Sequence, residues 1–466
     1  VLQESFLRKI TVTGLVALAA VLGSWGAVTA ASAGSTPASA GASTAASAPL
    51  TSAGVAASPG LSRLGSGTGS GAGAAALPAA HSLTYPDGVT PAATAPFDVL
   101  ADVNCSSPTD CLAVGANETA NGGRGSPRAY HWAGSAWAAT PIPLPSSTSG
   151  GFLNSVSCTG GSCVAVGRFY RGSTAYLLSE IWNGTSWRFS LPPFISGSKF
   201  PYLAVVSCVS ATYCVAAGNY VPASNLSDSV AIVGIWNGST WRMITAPAVG
   251  TFNFSAFFTI SCTSTTFCML GGEYASSVRD PQGGGYFTTL IERFNGTSFS
   301  RGTDATLTPQ GGYASYINSI SCTSTASCVA VAEQDKISGP LAWHGWAETF
   351  NGSRWTRAVL SLPASTQTFL DAVSCATSSY CVAVGGAGPF TNGTTGKAIF
   401  TVMNGSSWVL HYANPPSGQG NFLVGVECLT TTFCVASGAE GPYNTNTSHG
   451  LTWFWNGGRF TLINTP

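Results

Sequence analysis

The run Phe152-Leu153-Asn154-Ser155-Val156-Ser157-Cys158, then Cys163-Val164-Ala165-Val166-Gly167, then Ile181-Trp182-Asn183-Gly184-Thr185-Ser186-Trp187, decides the fold. It holds four short runs of β character: one leading into a cysteine, one leaving the next cysteine, one ending at Trp182, and one opening on Trp187. Short runs rich in Val, Ile and aromatic residues, punctuated by Gly, Asn and Ser, read as strands. Asn-Gly between two such runs is a strong hairpin signal, read here as a turn in which both residues tolerate positive φ. The stretch therefore predicts a four-stranded antiparallel meander whose first hairpin is flanked by cysteines.

The same pattern recurs along the chain. Its 14 cysteines form seven close pairs: Cys105/Cys111, Cys158/Cys163, Cys208/Cys214, Cys262/Cys268, Cys322/Cys328, Cys375/Cys381 and Cys428/Cys434. Their first members are 53, 50, 54, 60, 53 and 53 residues apart, which is a repeat period. Asn-Gly follows Trp182, Trp236, Phe294, Phe350, Met403 and Trp455, while the first unit has Trp132-Ala133-Gly134; the fourth runs open at Trp137, Trp187, Trp241, Phe299, Trp355, Trp408 and Phe460. One four-stranded sheet cannot bury both its faces alone, so the units must pack on each other. The expectation is an all-β, seven-bladed β-propeller of four-stranded antiparallel blades, one local disulfide per blade, with an open solenoid as the alternative. The last unit ends on a fourth strand of its own, Arg459 to Ile463, so no shared closing blade is visible. The recurring Trp residues read as blade packing. C-x5-C lacks zinc spacing, and His131, His344, His411 and His449 share no repeat register, so neither metal nor cofactor is expected.

Only 8% of the residues are charged, 18 basic against 18 acidic, and 56 are glycine. Without a basic excess, a nucleic-acid partner or an anionic membrane surface is excluded as the target. Arg8 and Lys9 precede an uncharged run from Ile10 to Ala30, and Ala31-Ser32-Ala33 offers a cleavage point. Residues 1–33 read as a signal peptide, or as an uncleaved N-terminal anchor, since the run is long enough to cross a bilayer. From Gly34 to Ala80, 41 of 47 residues are Ala, Gly, Ser, Thr or Pro, so residues 34–96 read as a disordered tether and residues 97–466 as the propeller. Export to an oxidising compartment is consistent with seven disulfides, and the expected location is secreted or cell-surface, as a monomer.

An apolar strand ending in glycine, a variable loop, a strand ending in an aromatic and a turn, and then Trp resembles the kelch repeat. Its glycine pair is matched by Gly271-Gly272 and Gly385-Gly386, while Gly115, Gly167, Gly218 and Gly438 stand single and the fifth unit has Ala332. Paired cysteines lie outside the usual kelch pattern; with W-N-G-x-x-W they resemble secreted actinobacterial propeller proteins. The resemblance implies the architecture and little about function.

In an up-and-down blade the Cys and Asn-Gly hairpins share one end, and the second connections share the other. The second connections vary from 15 to 23 residues, and variable loops on a rigid scaffold are where binding resides. The candidate ligand-binding residues there are Arg168, Tyr170, Tyr220, Glu273, Tyr274, Arg279, Asp280, Glu333 and Asp335, with the fourth unit's insertion Ser276 to Gly285 as the best single locus. Each also has an ordinary reading: Arg279-Asp280 as a solvated loop pair, and the tyrosines as inter-blade packing. No catalytic motif stands out. The Ser-x-Asp-x-Gly-x-x-Trp box of sialidases is absent, and so are the copper ligands of galactose oxidases. Asp98, Asp102 and Asp371 fall in or near first strands. The expected function is a secreted or surface-tethered, non-catalytic propeller binding an extracellular glycan or protein through its variable-loop face. The alternatives are an extracellular carbohydrate-active hydrolase or lyase using loop-face carboxylates, and a purely structural envelope component.

Overall fold

A computed structural model describes residues 97–118, 125–279, 285–302, 313–336, 343–360, 362, 367–388, 396–413, 421–440 and 449–464. The leader, anchor and tether readings fall outside the described residues.

The chain forms seven four-stranded sheets. Blade one is β1 (Phe97–Ser107), β2 (Asp110–Glu118), β3 (Ser126–Trp132) and β4 (Trp137–Ala139); blade two is β5 (Gly150–Thr159), β6 (Ser162–Arg171), β7 (Thr174–Trp182) and β8 (Trp187–Phe189). Blade three is β9 (Ser198–Ser210), β10 (Tyr213–Pro222), β11 (Val230–Trp236) and β12 (Trp241–Thr245); blade four is β13 (Ser255–Ser264), β14 (Phe267–Arg279), β15 (Gly285–Phe294) and β16 (Phe299–Arg301). Blade five is β17 (Tyr313–Ser324), β18 (Ser327–Lys336), β19 (Trp343–Phe350) and β20 (Trp355–Ala358). Blade six is β21 (Thr368–Thr377), β22 (Tyr380–Ala387), β23 (Lys397–Asn404) and β24 (Ser407–Ala413); blade seven is β25 (Asn421–Thr430), β26 (Phe433–Glu440), β27 (His449–Trp455) and β28 (Phe460–Asn464). Each first strand contacts the first strands on either side, and β1 meets β25, so the first strands are innermost and the ring closes. Among the described residues no strand is shared in closing it. Blade seven packs on blade one through Val435 against Leu100 and Val103, and through the Trp132 and Phe454 rings at 4.9 Å.

All seven expected disulfides are formed, each across the first hairpin of its blade: Cys105–Cys111, Cys158–Cys163, Cys208–Cys214, Cys262–Cys268, Cys322–Cys328, Cys375–Cys381 and Cys428–Cys434. The paired Cα atoms stand 3.9–4.0 Å apart, directly opposed on the first and second strands. The second cysteine of each pair, Cys111, Cys163, Cys214, Cys268, Cys328, Cys381 or Cys434, is buried within the ring. These residues therefore staple the scaffold and take no part in a ligand site.

Directly opposed residues that do not hydrogen-bond to each other turn their own N–H and C=O outward. On an innermost strand that outward edge faces the central axis, where an unpaired donor is costly. The preceding blade supplies the acceptors. At six of the seven joints the residue before the first cysteine takes the next blade's cysteine N–H: Asn104 from Cys158 at 2.8 Å, Ser157 from Cys208 at 3.0 Å, Ser207 from Cys262 at 3.0 Å, Ser261 from Cys322 at 2.9 Å, Ser321 from Cys375 at 3.0 Å and Ser374 from Cys428 at 2.9 Å. A second rung, two residues earlier, runs from Val156 to Asp102, Val206 to Ser155, Ile320 to Thr259 and Val373 to Ser319.

Each first strand also carries a bulge at Ala101, Asn154, Ala204, Phe258, Asn318, Asp371 or Val424, where the register skips one residue. The bulge pushes a carbonyl toward the second strand, and this explains the recurring glycine. A Cβ at Gly115, Gly167, Gly218, Gly272, Gly385 or Gly438 would meet that oxygen at 1.8–2.1 Å. Blade five accommodates Ala332 there, opposite Ile317. In this register Gly272 and Gly385 are equivalent, so the pairs Gly271-Gly272 and Gly385-Gly386 are offset by one residue and form no common kelch-type motif.

The Asn-Gly turns also work differently from the expectation. Only the glycine has positive φ, for example +96° at Gly184 and +92° at Gly238. The asparagine acts through its side chain: Asn183 Oδ1 accepts the N–H groups of Thr185 at 3.0 Å and Ser186 at 2.9 Å, closing a four-residue loop. The aromatic pairs flanking these loops pack as expected, Trp182 on Trp187 at 5.3 Å and Trp236 on Trp241 at 5.6 Å.

Candidate functional site

The second strands run past their glycine toward the end that carries the second connections, and this carries most of the candidate residues onto strands and not into loops. Arg168 and Tyr170 lie on β6, Tyr220 on β10, Glu273, Tyr274 and Arg279 on β14, and Glu333 and Asp335 on β18. Asp280 lies outside the described residues, as do residues 281–284 of the blade-four insertion. Arg168, Tyr170, Glu273 and Glu333 are buried, and Tyr220 and Tyr274 are half-buried.

Three of the charged residues share one structural position. The residue after the bulge-facing position is Ala116, Arg168, Asn219, Glu273, Glu333, Gly386 and Ala439 in blades one to seven, opposite Val99, Phe152, Tyr202, Ala256, Tyr316, Phe369 and Phe422 of the innermost strands. Blades two to five therefore contribute Arg, Asn, Glu and Glu, and blades six, seven and one contribute only glycine or alanine. The result is a buried polar arc that spans four successive blades at the end of the ring carrying the second connections. Asn219 is not among the residues singled out from the sequence. Its signal is there all the same, since it follows Gly218 as Arg168 follows Gly167.

The members of the arc differ in how they are satisfied. Asn219 donates to Ser229 Oγ at 2.9 Å, and that hydroxyl donates to the Ser255 carbonyl at 3.1 Å. Glu333 accepts from Tyr316 Oη at 3.4 Å and from Asn318 Nδ2 at 3.2 Å, and the same Asn318 amide donates to the Leu370 carbonyl of blade six. The guanidinium carbon of Arg168 lies 4.9 Å from the Phe152 ring centroid, 5.9 Å from that of Tyr170 and 5.1 Å from that of Tyr202. Burial pushes the Tyr202 phenol up, against the opposing pull of the Arg168 charge. The three candidate tyrosines are not equivalent: Tyr220 and Tyr274 occupy the register of Phe169, one residue before that of Tyr170. Tyr274 carries the Arg301 guanidinium 4.4 Å above its ring.

Deeper on the axis lies a second acidic locus. Asp102 is raised to about 6, chiefly by burial and against backbone hydrogen bonds from Val156 and Val103. Its Oδ2 accepts from Val156 at 3.0 Å and its Oδ1 from Val103 at 2.8 Å, so both oxygens hold backbone. Glu427 is raised to about 8 by burial, then by the charge of Asp102, against a hydrogen bond from Ser374. Glu427 stands where five of the other blades have serine. Among the described residues, no bond joins it to the Cys105 N–H, and Gly425 leaves the second rung of that joint without a side chain. Glu427→Ser is therefore expected to complete the ladder and to stabilise the ring by about 1 kcal/mol at pH 6. Urea unfolding checks this; an unchanged or lowered midpoint contradicts it.

Among the described residues no group of three or more His, Cys, Asp and Glu is placed to hold a metal ion. His131 Nε2 lies 2.7 Å from the Asp110 carboxylate, which also accepts from the Ser106 hydroxyl, and the His131 ring packs on Trp182 at 5.5 Å; His411 stacks on Phe400.

No family model matches the chain, and no curated protein matches it. Among solved structures it is similar to YCF48 bound to D1 peptide, at 10% identity over 78% of this chain and 94% of that one, TM-score 0.44. It is similar to a PL25 ulvan lyase bound to -[GlcA(1-4)Rha3S]-, at 12% identity over 66% and 81%, TM-score 0.43. It is also similar to the GH74 enzyme of Niastella koreensis, at 12% identity over 77% and 52%, TM-score 0.46. The chain is a β-propeller by architecture. At these identities the likeness is one of fold, and what those proteins bind or cleave belongs to them. The propeller reading thus rests on this chain's own sheets, and the functional reading on its own arc of side chains.

Proposed function

We propose that this is an extracellular, non-catalytic recognition propeller that binds a glycan at the second-connection end of the ring, over the polar arc of blades two to five. One observation carries the reading: in a chain with 8% charged residues, four successive blades put Arg168, Asn219, Glu273 and Glu333 at one register position, and the other three blades put no polar side chain there. A feature needed only for folding would recur in all seven, as the disulfides, the bulges and the Asn104-to-Ser374 rungs nearly do. Tyr202 and Tyr316 stand opposite Asn219 and Glu333 in the register, and aromatic rings offer flat apolar faces to sugars while hydroxyl and amide groups orient them. The seven disulfides and the neutral surface support an extracellular setting. The test is a panel of neutral and charged polysaccharides presented to the oxidised full chain, with product analysis on every hit. Saturable binding without products, weakened at least tenfold by Asn219→Ala or Glu333→Gln, is the expected result. Release of oligosaccharides would make the protein an enzyme, and absence of any saturable polysaccharide would remove glycan recognition.

A further inference from the structure

Arg168 is 4% exposed, and its Nε is shut off from solvent with no hydrogen-bond partner. Among the described residues, nothing accepts from its Nη groups either and no carboxylate pairs with it, yet these two nitrogens are not among the sealed atoms. A buried guanidinium is ordinarily paired, because burial strips it of water. Here its own strand and the first strands of its own and the next blade supply rings in place of a counter-ion: Tyr170 of β6, Phe152 of β5 and Tyr202 of β9 lie around the group. Rings over the faces of a guanidinium hold its plane without consuming its donors. With Nε sealed, what remains is the Nη edge, two parallel N–H groups in one plane. That edge matches two oxygens of an oxyanion held bidentate, the geometry a carboxylate offers. Glu333 is an acceptor already held by Tyr316 and Asn318, and the Asn219 amide donates to Ser229, so Arg168 is the cation that the arc offers to an anionic group.

We infer that Arg168 is the anchor for a carboxylate of the bound glycan, so that the ligand is a uronic-acid-containing polysaccharide docked by one carboxylate into the Phe152–Tyr170–Tyr202 box. This rests on the glycan-binding reading above and names its ligand class. The experiment uses the oxidised full chain with polygalacturonate and alginate, against fully methyl-esterified polygalacturonate, dextran sulfate and dextran, by titration calorimetry. Expected is saturable binding of at least one uronate polymer, a loss of at least tenfold on methyl esterification, a similar loss in Arg168→Gln, and only partial recovery in Arg168→Lys, which lacks the fork. The esterification comparison needs only the native chain, so it decides the matter even where Arg168→Gln does not fold. Equal binding of the ester, preference for dextran sulfate, undiminished binding by a folded Arg168→Gln, or no binding to either uronate polymer overturns the inference. Binding of dextran that depends on Asn219 or Glu333 would overturn this inference alone. Absence of binding to every polymer would overturn the glycan reading with it.

Discussion

At pH 9 the oxidised chain is expected to melt well below its melting temperature at pH 5, the reverse of ordinary acid denaturation. Four buried or half-buried carboxyls drive this: Asp102 raised to about 6, Glu292 to about 7, and Glu180 and Glu427 to about 8. In each the largest cause is burial, which penalises the charged form. Their ordinary values of 3.8 for Asp and 4.5 for Glu lie below those of the folded state, so over this window the native chain binds more protons than the unfolded one. The stabilisation is fully present below about pH 4 and is lost as pH rises through about 8; each tenfold difference in a carboxyl's proton affinity between the folded and unfolded chain is worth roughly 1.4 kcal/mol. Glu180 is the most deeply placed of the four: it is 0% exposed on β7, and among the described residues neither carboxyl oxygen has a partner. Its ionisation at alkaline pH places an uncompensated charge inside the blade. Glu180→Met should therefore flatten the alkaline limb and raise stability at pH 9 more than at pH 5. Denaturant unfolding of both chains across pH 4.5 to 9 checks it; a profile that is flat, or that rises with pH, contradicts it.

Reduction of the seven disulfides is expected to unfold the propeller at 25 °C. Each bond closes a loop of only five or six residues' separation, for which chain-entropy arithmetic gives roughly 2 kcal/mol. One such loss is tolerable. Seven together, about 14 kcal/mol, reach the upper end of the stability of a typical domain, about 5–15 kcal/mol. The cysteines also do a second job, because their register turns the Cys158, Cys208, Cys262, Cys322, Cys375 and Cys428 N–H groups toward the acceptors of the preceding blade. Loosening the hairpins therefore loosens the joints. Near-UV circular dichroism of the paired tryptophans reports the result: the reduced and alkylated chain should lose that signal, while Cys158→Ala/Cys163→Ala should retain it with a stability loss of roughly 2 kcal/mol. A reduced chain with an unchanged melting transition would contradict this reading.

The blade was legible in the sequence because every device that builds it is repeated. The cysteine pairs, Trp182-Asn183-Gly184 and its equivalents, and Trp187 recur at one period, and the structure turns each repeat into β1–β4 or its counterpart. What the repeat hid is what joins blades. The serine before each first cysteine was on view at Ser157, Ser207, Ser261, Ser321 and Ser374, yet its partner lies about 50 residues away across a joint. Likewise, Gly167 looked like a strand end, whereas β6 continues to Arg171 and the glycine answers a bulge at Asn154. Reading those glycines as strand ends put Arg168, Glu273 and Glu333 on exposed loops. Charge alone suggests exposure, and only the register with Phe152, Ala256 and Tyr316 shows that they are buried at one level of the ring.

The most direct test of recognition at the polar arc is hydrogen–deuterium exchange of the oxidised full chain with and without a saturating polysaccharide from the binding panel. Protection gathered at the second-connection ends of β5, β6, β9, β10, β14 and β18, around Arg168, Asn219, Glu273 and Glu333, is the predicted result. Protection gathered at the Asn183-Gly184 end of the ring and its equivalents, or confined to blades six, seven and one, would contradict it.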